Sequence, residues 1–242
     1  MAILKKFSFR RKKSQKPRGK LVVIDGIDGS GKSTQLVILN EQLRAEGFQT
    51  ETIHFPRHGV PTAYLADLYL KGYYKDLNPY AASVFYAVDR FDASSQIRNW
   101  LADGKIVLSD RYVTANAGHQ GCKISDSVER LKFFKWLDNL EYLIFAIPKP
   151  DLNIILNMPY LSASKLLNSR KNTPDHTDKV HEKSLTHLRL AQAVYLQIAR
   201  LFPNTKLVEC VAGKGILSVQ EIHNKVWELV RRIALKDMKQ ET

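Results

Sequence analysis

The stretch Gly26-Ile27-Asp28-Gly29-Ser30-Gly31-Lys32-Ser33-Thr34 constrains this chain more than any other. It fits the pattern G-x-x-x-x-G-K-[ST]. It follows Lys20-Leu-Val-Val-Ile-Asp25, an apolar, β-branched run suited to a buried strand. It precedes Lys32 to Glu46, where Leu36, Leu39 and Leu43 recur with a helical period ahead of Gly47. Strand, glycine-rich turn and helix in that order form the context in which this motif binds phosphate. Glycines let backbone N–H groups converge on phosphate oxygens with no Cβ in the way. The helix N-terminus adds partial positive charge. Lys32 is then placed to reach β- and γ-phosphates, and the Ser33 hydroxyl to ligate Mg²⁺. The motif alone implies binding of a nucleoside triphosphate and leaves kinase, GTPase and ATPase open.

The rest of the chain repeats the same alternation. Strands are predicted at 50–55, 105–109, 151–156 and 206–209, and helices at 61–72, 79–103, 125–140, 161–170, 181–201 and 218–235. Such alternation implies βαβ crossovers. The expected fold is α/β: a three-layer P-loop NTPase fold with a five-stranded parallel sheet flanked by helices. At 242 residues, with 44% hydrophobic and 25% charged residues, one folded domain is expected and wholesale disorder is excluded. No run of about 18 apolar residues exists to span a membrane. Two cysteines, Cys122 and Cys210, are too few for a disulfide scaffold or a cysteine metal cluster and suit a reducing, cytoplasmic setting.

The net charge of +13 is localised. Nine Lys or Arg and no acid fall in residues 1–20, which leaves only +4 for residues 21–242. Residues 1–18 are expected to be a basic, solvated and disordered extension, with residues 19–242 as the folded domain. The other reading of the extension is an electrostatic contact with an anionic surface, nucleic acid or lipid. No apolar h-region follows the charges, so a secretory signal is not expected, and an organelle presequence is a minor alternative.

Further candidates lie where the predicted elements end. Asp110 and Arg111 close the strand before Tyr112. In open α/β sheets ligands bind at the carboxyl ends of strands, so Asp110 is suited to organise Mg²⁺ and Arg111 to clamp a phosphate bidentately. A surface salt bridge is the plainer reading of such a pair. Phe55 and Arg57 follow the second strand. Tyr86 and Arg90 share one helix face, where an aromatic ring can stack a base and a guanidinium can hold its phosphate. An amphipathic helix with core aromatics would look the same. Asn116, His119 and Gln120 lie in the loop or helix start after Arg111, and could read a base edge or be ordinary polar turn residues.

Taken together these segments resemble the thymidylate kinase family of P-loop nucleoside monophosphate kinases. Val23 to Gln35, Phe55-Pro-Arg57, Tyr86-Ala-Val-Asp-Arg90 and Asp110-Arg-Tyr-Val-Thr-Ala-Asn116-Ala-Gly-His-Gln-Gly121 carry the resemblance, which runs from about Lys20 to about Ile233. It implies ATP-dependent phosphorylation of dTMP to dTDP, with Mg²⁺ and a homodimeric assembly. By match to the family's motifs, Gly26 to Thr34 would bind ATP. Phe55, Arg57, Tyr86, Arg90, Asn116 and Gln120 would bind dTMP, with Arg90 on its phosphate and Tyr86 on the thymine ring. Asp28 would stand near the acceptor sugar hydroxyl, and Ser33 and Asp110 would serve the metal. Lys32, Arg111, Asp28 and a lid arginine would be catalytic.

The chain departs from the family in places. Some members carry an arginine in the loop where this chain has Gly29, which resembles the class whose catalytic arginine lies in a small lid. That lid would be about 169–180, and its one arginine is Arg170. Lys165 stands where arginine is common, and His119 where Tyr is frequent. Asp178 and Glu182 resemble the acid pair after the lid. Two other readings stand beside dTMP kinase: a related deoxynucleoside or nucleoside monophosphate kinase, and a nucleotide-gated protein that uses its basic extension on nucleic acid.

Overall fold

A computed structural model of the chain describes residues 18–169, 185–213 and 215–238. The basic extension up to residue 17 lies outside these described residues. So does most of the expected lid, with Arg170, Asp178 and Glu182.

The strands β1 (Lys20–Asp25), β2 (Thr50–His54), β3 (Ile106–Asp110), β4 (Leu152–Asn157) and β5 (Thr205–Glu209) form one sheet in the order β2-β3-β1-β4-β5. Every pairing in it is parallel. Parallel strands need crossovers, and covered strands carry apolar residues on both faces. Accordingly Leu21, Val22, Val23 and Ile24 of β1, in the centre, are all fully buried. The register sets Ile24 beside Asp110, so the ends of β1 and β3 emerge side by side. The connection leaving β1 runs to β2 on one side and the connection leaving β3 runs to β4 on the other, and between such strands these folds open a crevice.

Eight helices are described: α1 (Lys32–Ala45), α2 (Tyr64–Leu70), α3 (Pro79–Ala102), α4 (Val113–Gly121), α5 (Ser127–Asp138), α6 (Tyr160–Ser169), α7 (Leu185–Leu201) and α8 (Val219–Leu229). Helix α1 packs on α8. Helix α4 packs on α3, α5 and α7, and α7 also on α6. The caps follow ordinary chemistry. Asn78 accepts from Ala81 N–H to open α3, Asp126 opens α5, and Ser218 with Glu221 forms a capping box at α8. A two-stranded antiparallel hairpin, β6 (Val211–Ala212) and β7 (Gly215–Ile216), follows the sheet.

The expected elements are present with shifted ends. The helix expected over 61–72 is a 3-10 turn at Pro61–Ala63 followed by α2. Those expected over 125–140 and 218–235 each pass into a π-helical turn, Asn139–Ile144 and Val230–Ala234. Two elements went unread: the short hairpin, and α4 as a full helix. Helix α4 contains Gly118 and Gly121 and is buried at eight of its nine positions, so it shows no amphipathic period.

Candidate active site

The turn from β1 into α1 is built around backbone rather than side chains. Gly26, Gly29 and Gly31 all have positive φ, at 139°, 81° and 90°. Gly29 is also tightly covered: an added Cβ would stand 2.4 Å from the Ala163 carbonyl oxygen and 2.8 Å from Leu167 Cγ. Helix α6 therefore occupies the space where a side chain at this position would project. That gives a physical reason for glycine at this position.

Lys32 folds back over the turn. Its Nζ donates to the carbonyls of Gly26 at 3.1 Å and Ile27 at 3.0 Å, and lies 4.0 Å from Asp28. Behind the turn, the Asp25 carboxylate accepts from Gly26 N–H, the Thr114 hydroxyl and the Tyr195 hydroxyl at 2.8, 2.6 and 2.8 Å. Burial raises its pKa, and the Thr114 hydroxyl, the charges of Lys32 and Arg111 and the Gly26 N–H oppose that rise. Asp25, Thr114 and Tyr195 were not read from the sequence as site residues. Asp25 looks there like the last residue of a strand, and Tyr195 is 170 residues away from it.

Asp110 Oδ2 accepts from the Ser33 hydroxyl at 2.7 Å, which joins the two residues expected at a metal. Asp110 Oδ1 is buried and has no hydrogen-bond partner among the described residues. A carboxylate oxygen left over beside a hydroxyl, at the mouth of a phosphate-binding turn, fits a hard cation that takes oxygen ligands. Among the described residues no cluster of three or more His, Cys, Asp or Glu side chains is placed to hold a metal by itself. Mg²⁺ suits such a site, because it keeps several waters and binds through one or two protein oxygens plus phosphates.

Arg111 follows directly and adopts φ 68°, a left-handed conformation that costs a non-glycine residue energy. The bend sends its guanidinium across to Asp28, with which it forms a close ion pair. Burial opposes the charge on both partners. For Asp28, the positive charges of Arg111, His119 and Lys32 outweigh burial and hold the carboxyl well below the usual range. For Arg111, Asp28 and Asp110 outweigh burial and keep the guanidinium charged.

These groups line one end of a cavity of about 380 Å³, whose other walls include Phe55, Tyr86, Arg90, Asn116, His119 and Gln120. Phe55 packs on Tyr112 at 5.7 Å, and Tyr86 meets Tyr69 edge to face at 6.2 Å. Asn116 donates to the Ser83 carbonyl at 3.0 Å, and Gln120 accepts from the Tyr69 hydroxyl at 3.2 Å and from Lys123 at 2.9 Å. His54 and His58 also line the cavity. Neither was singled out from the sequence, where His54 reads as part of a strand and His58 as a turn residue.

Two expected acceptor residues stand differently. Arg57 is absent from the cavity wall. Its side chain is drawn aside to Asp89 at 2.8 Å, Asp92 at 2.5 Å and the Thr62 hydroxyl at 3.0 Å. Arg90 is on the wall, but its Nε and Nη2 are both engaged by Glu141. Both members of that pair are essentially unexposed. Burial works against the charge of Arg90, and Glu141 more than restores it. The expectation that Arg90 grips a phosphate meets a guanidinium whose charge is already matched. Glu141 had no sequence signal, since it lies just past the helix expected over 125–140.

A protein-family model described as Thymidylate kinase matches residues 24–226. The chain is 30% identical over 222 residues to a probable thymidylate kinase of Thermococcus onnurineus, covering 89% of this chain and 98% of that protein. It is 29% identical over 183 residues to a thymidylate kinase of Mycobacterium tuberculosis, covering 74% and 85%. Among solved structures, a thymidylate kinase from Candida albicans superposes with a TM-score of 0.67 at 26% identity, covering 89% of this chain and 92% of the other.

Proposed function

Because the chain belongs to the thymidylate kinase family, we propose that it transfers the γ-phosphoryl group of ATP to dTMP, giving dTDP and ADP. The observation that carries this reading is a single cavity. It runs from the phosphate-binding turn, past Arg111, to the aromatic and amide side chains at Tyr86, Asn116 and Gln120.

The chemistry follows from charge and placement. An oxygen of the dTMP phosphate attacks the γ-phosphorus in line, and the bond to the leaving ADP oxygen breaks. A phosphate is largely ionised at neutral pH, so it needs no strong base. The protein's work is to align two polyanions, match their charge and exclude water. Gly26 to Thr34 holds the ATP phosphates. Lys32, once it leaves the turn's carbonyls, reaches the β- and γ-oxygens. Ser33 and Asp110 would hold Mg²⁺, which neutralises charge on the β- and γ-phosphates. Arg111 sits between donor and acceptor and clamps the transferring group, with Asp28 fixing its direction. In this reading Asp28 acts first as the partner of Arg111.

Tyr86 and Phe55 supply the ring surfaces for the base and sugar, and Asn116 and Gln120 the amides. Arg90, neutralised by Glu141, suits a neutral hydrogen-bond acceptor on the base better than a dianion. The acceptor phosphate then falls to Arg111, joined by Arg57 when it leaves Asp89 and Asp92. Arg90→Met should raise KM for dTMP by about tenfold or more and leave KM for ATP within about twofold, as expected for a lost hydrogen bond to a charged donor. Equal shifts in both KM values would remove Arg90 from the acceptor side. With γ-labelled ATP and dTMP, the label should appear in the new diphosphate. Label found only in inorganic phosphate would mean hydrolysis and sink the reading.

A homodimer is part of this proposal. Val88 and Phe91 on α3 are exposed, Phe91 rests on Phe145 at 5.1 Å, and the adjoining Leu143 and Ile144 are exposed as well. A contiguous apolar patch of this kind marks an interaction surface. Light scattering should give twice the chain mass for the wild type and the chain mass for Phe91→Asp. A wild-type monomer would overturn this assignment.

The basic extension is read as dispensable for turnover, whatever anionic surface it meets. Gly19 hydrogen-bonds to Leu101 at the end of the sheet away from the cavity. Deleting residues 1–18 should leave kcat and both KM values within about twofold, and a tenfold loss would tie the extension to the site. A cytoplasmic setting accords with two buried free thiols. No helix among the described residues is long and apolar enough to cross a membrane.

A further inference from the structure

Helix α4 places three polar side chains on the cavity wall, and each is held from behind by a group on another element or past the helix end. Asn116 is held by the Ser83 carbonyl, and Gln120 by Tyr69 and Lys123. The third, His119, is held by α7. Its Nδ1 lies 3.2 Å from Nε2 of His187, and the two rings are nearly parallel, with centroids 5.5 Å apart and 14° between their planes. His187 sits in the first turn of α7, and nothing assigned so far uses it.

The contact is braced on both sides. The Cys122 thiol donates to the His119 carbonyl at 3.3 Å and lies 3.6 Å from Nδ1 of His187. Two turns along α7, the Tyr195 ring meets His119 edge to face at 5.7 Å and its hydroxyl reaches Asp25 behind the phosphate-binding turn. This close approach depends on Gly118, where a Cβ would stand 2.6 Å from the Tyr195 ring. Burial lowers the basicity of His187, with Asp28 opposing and Lys123 assisting. One of the two facing nitrogens must carry the N–H and the other its lone pair, so the bond sets the proton positions of the two rings together.

We propose that His187 is a positioning residue for the acceptor site: its hydrogen bond to His119 fixes the face that His119 presents to bound dTMP. The inference rests on the dTMP kinase reading and adds a residue to it. It also ties the acceptor wall to α7.

Two substitutions separate bonding from packing. His187→Phe keeps a flat ring in that place and removes the hydrogen bond. His187→Gln keeps a side-chain amide that can bond His119 and removes the ring. His187→Phe should raise KM for dTMP about five- to tenfold, with kcat and KM for ATP within about twofold. His187→Gln should recover most of that loss, the pattern of one lost hydrogen bond rather than lost packing. The proposal is overturned if His187→Phe matches the wild type. It is equally overturned if both variants lower kcat and shift both KM values together with a lower Tm, because that marks a structural role alone. Wild-type turnover of dTMP in the same assay reports on the kinase reading separately, and its absence would remove both.

Discussion

Arg111→Ala should lower kcat by about 10³-fold, with KM for ATP changed less than about tenfold. Arginines that meet the transferring phosphoryl group contribute ~10³–10⁵ in comparable systems. The structure gives Arg111 the position for this role. It stands one residue past Asp110, at the mouth of the phosphate-binding turn, and a left-handed backbone turns its guanidinium to Asp28. A conformation that costs energy persists where the surrounding structure enforces it. Loss of Arg111 would also leave Asp28 with Lys32, 4.0 Å away, as its nearest charge partner. Some loss of stability is therefore expected, and melting temperature must be read beside rate. Arg111→Lys should recover only part of the rate, since an ammonium cannot fork two oxygens. A variant that melts lower but turns over normally would reduce Arg111 to a structural ion pair.

The second large effect is expected at Arg170. Gly29 has no room for a side chain, because Ala163 and Leu167 of α6 lie against it. An arginine cannot act from the phosphate-binding turn unless α6 moves. The next arginine available is Arg170, directly after Ser169, the last residue of α6. Arg170→Ala should reduce kcat by about 10²-fold or more and leave ATP affinity nearly unchanged, as for an interaction made mainly in the transition state. Arg170→Lys should recover a fraction. The alternative is that Arg170 only complements the C-terminal dipole of a helix, worth ~0.3–1 kcal/mol. Normal turnover with a slightly lower Tm would decide for that alternative and leave the charge to Arg111 and Lys32.

The parts of this site that were legible in the sequence are those carried by contiguous residues. Gly26 to Ser33 declared a phosphate-binding turn because strand, glycines and helix adjoin in the chain. Asp110 and Arg111 were legible because a buried apolar run ends at them. The partners were not legible. Glu141 meets Arg90 across 51 residues, and Asp89 meets Arg57 across 32. No local pattern marks a carboxylate for a distant guanidinium. The result was an arginine expected on a phosphate and found matched to a buried acid, and another expected on the cavity wall and found drawn away. Helix α4 was obscured for a different reason. A helix buried on nearly all sides loses the alternation by which helices are read. Even so, the match to the family's motif put Asn116 and Gln120 at the acceptor site, and both line the cavity.

An acceptor panel tests the central claim most directly. Rates with ATP and Mg²⁺ would be measured for dTMP, dUMP, dCMP and thymidine. The account predicts the highest kcat/KM for dTMP and no turnover of thymidine, because Arg111 and Arg57 are assigned to an acceptor phosphate and no carboxylate is assigned to activate a neutral hydroxyl. Faster phosphorylation of thymidine than of dTMP, or equal rates for dCMP and dTMP, would contradict it.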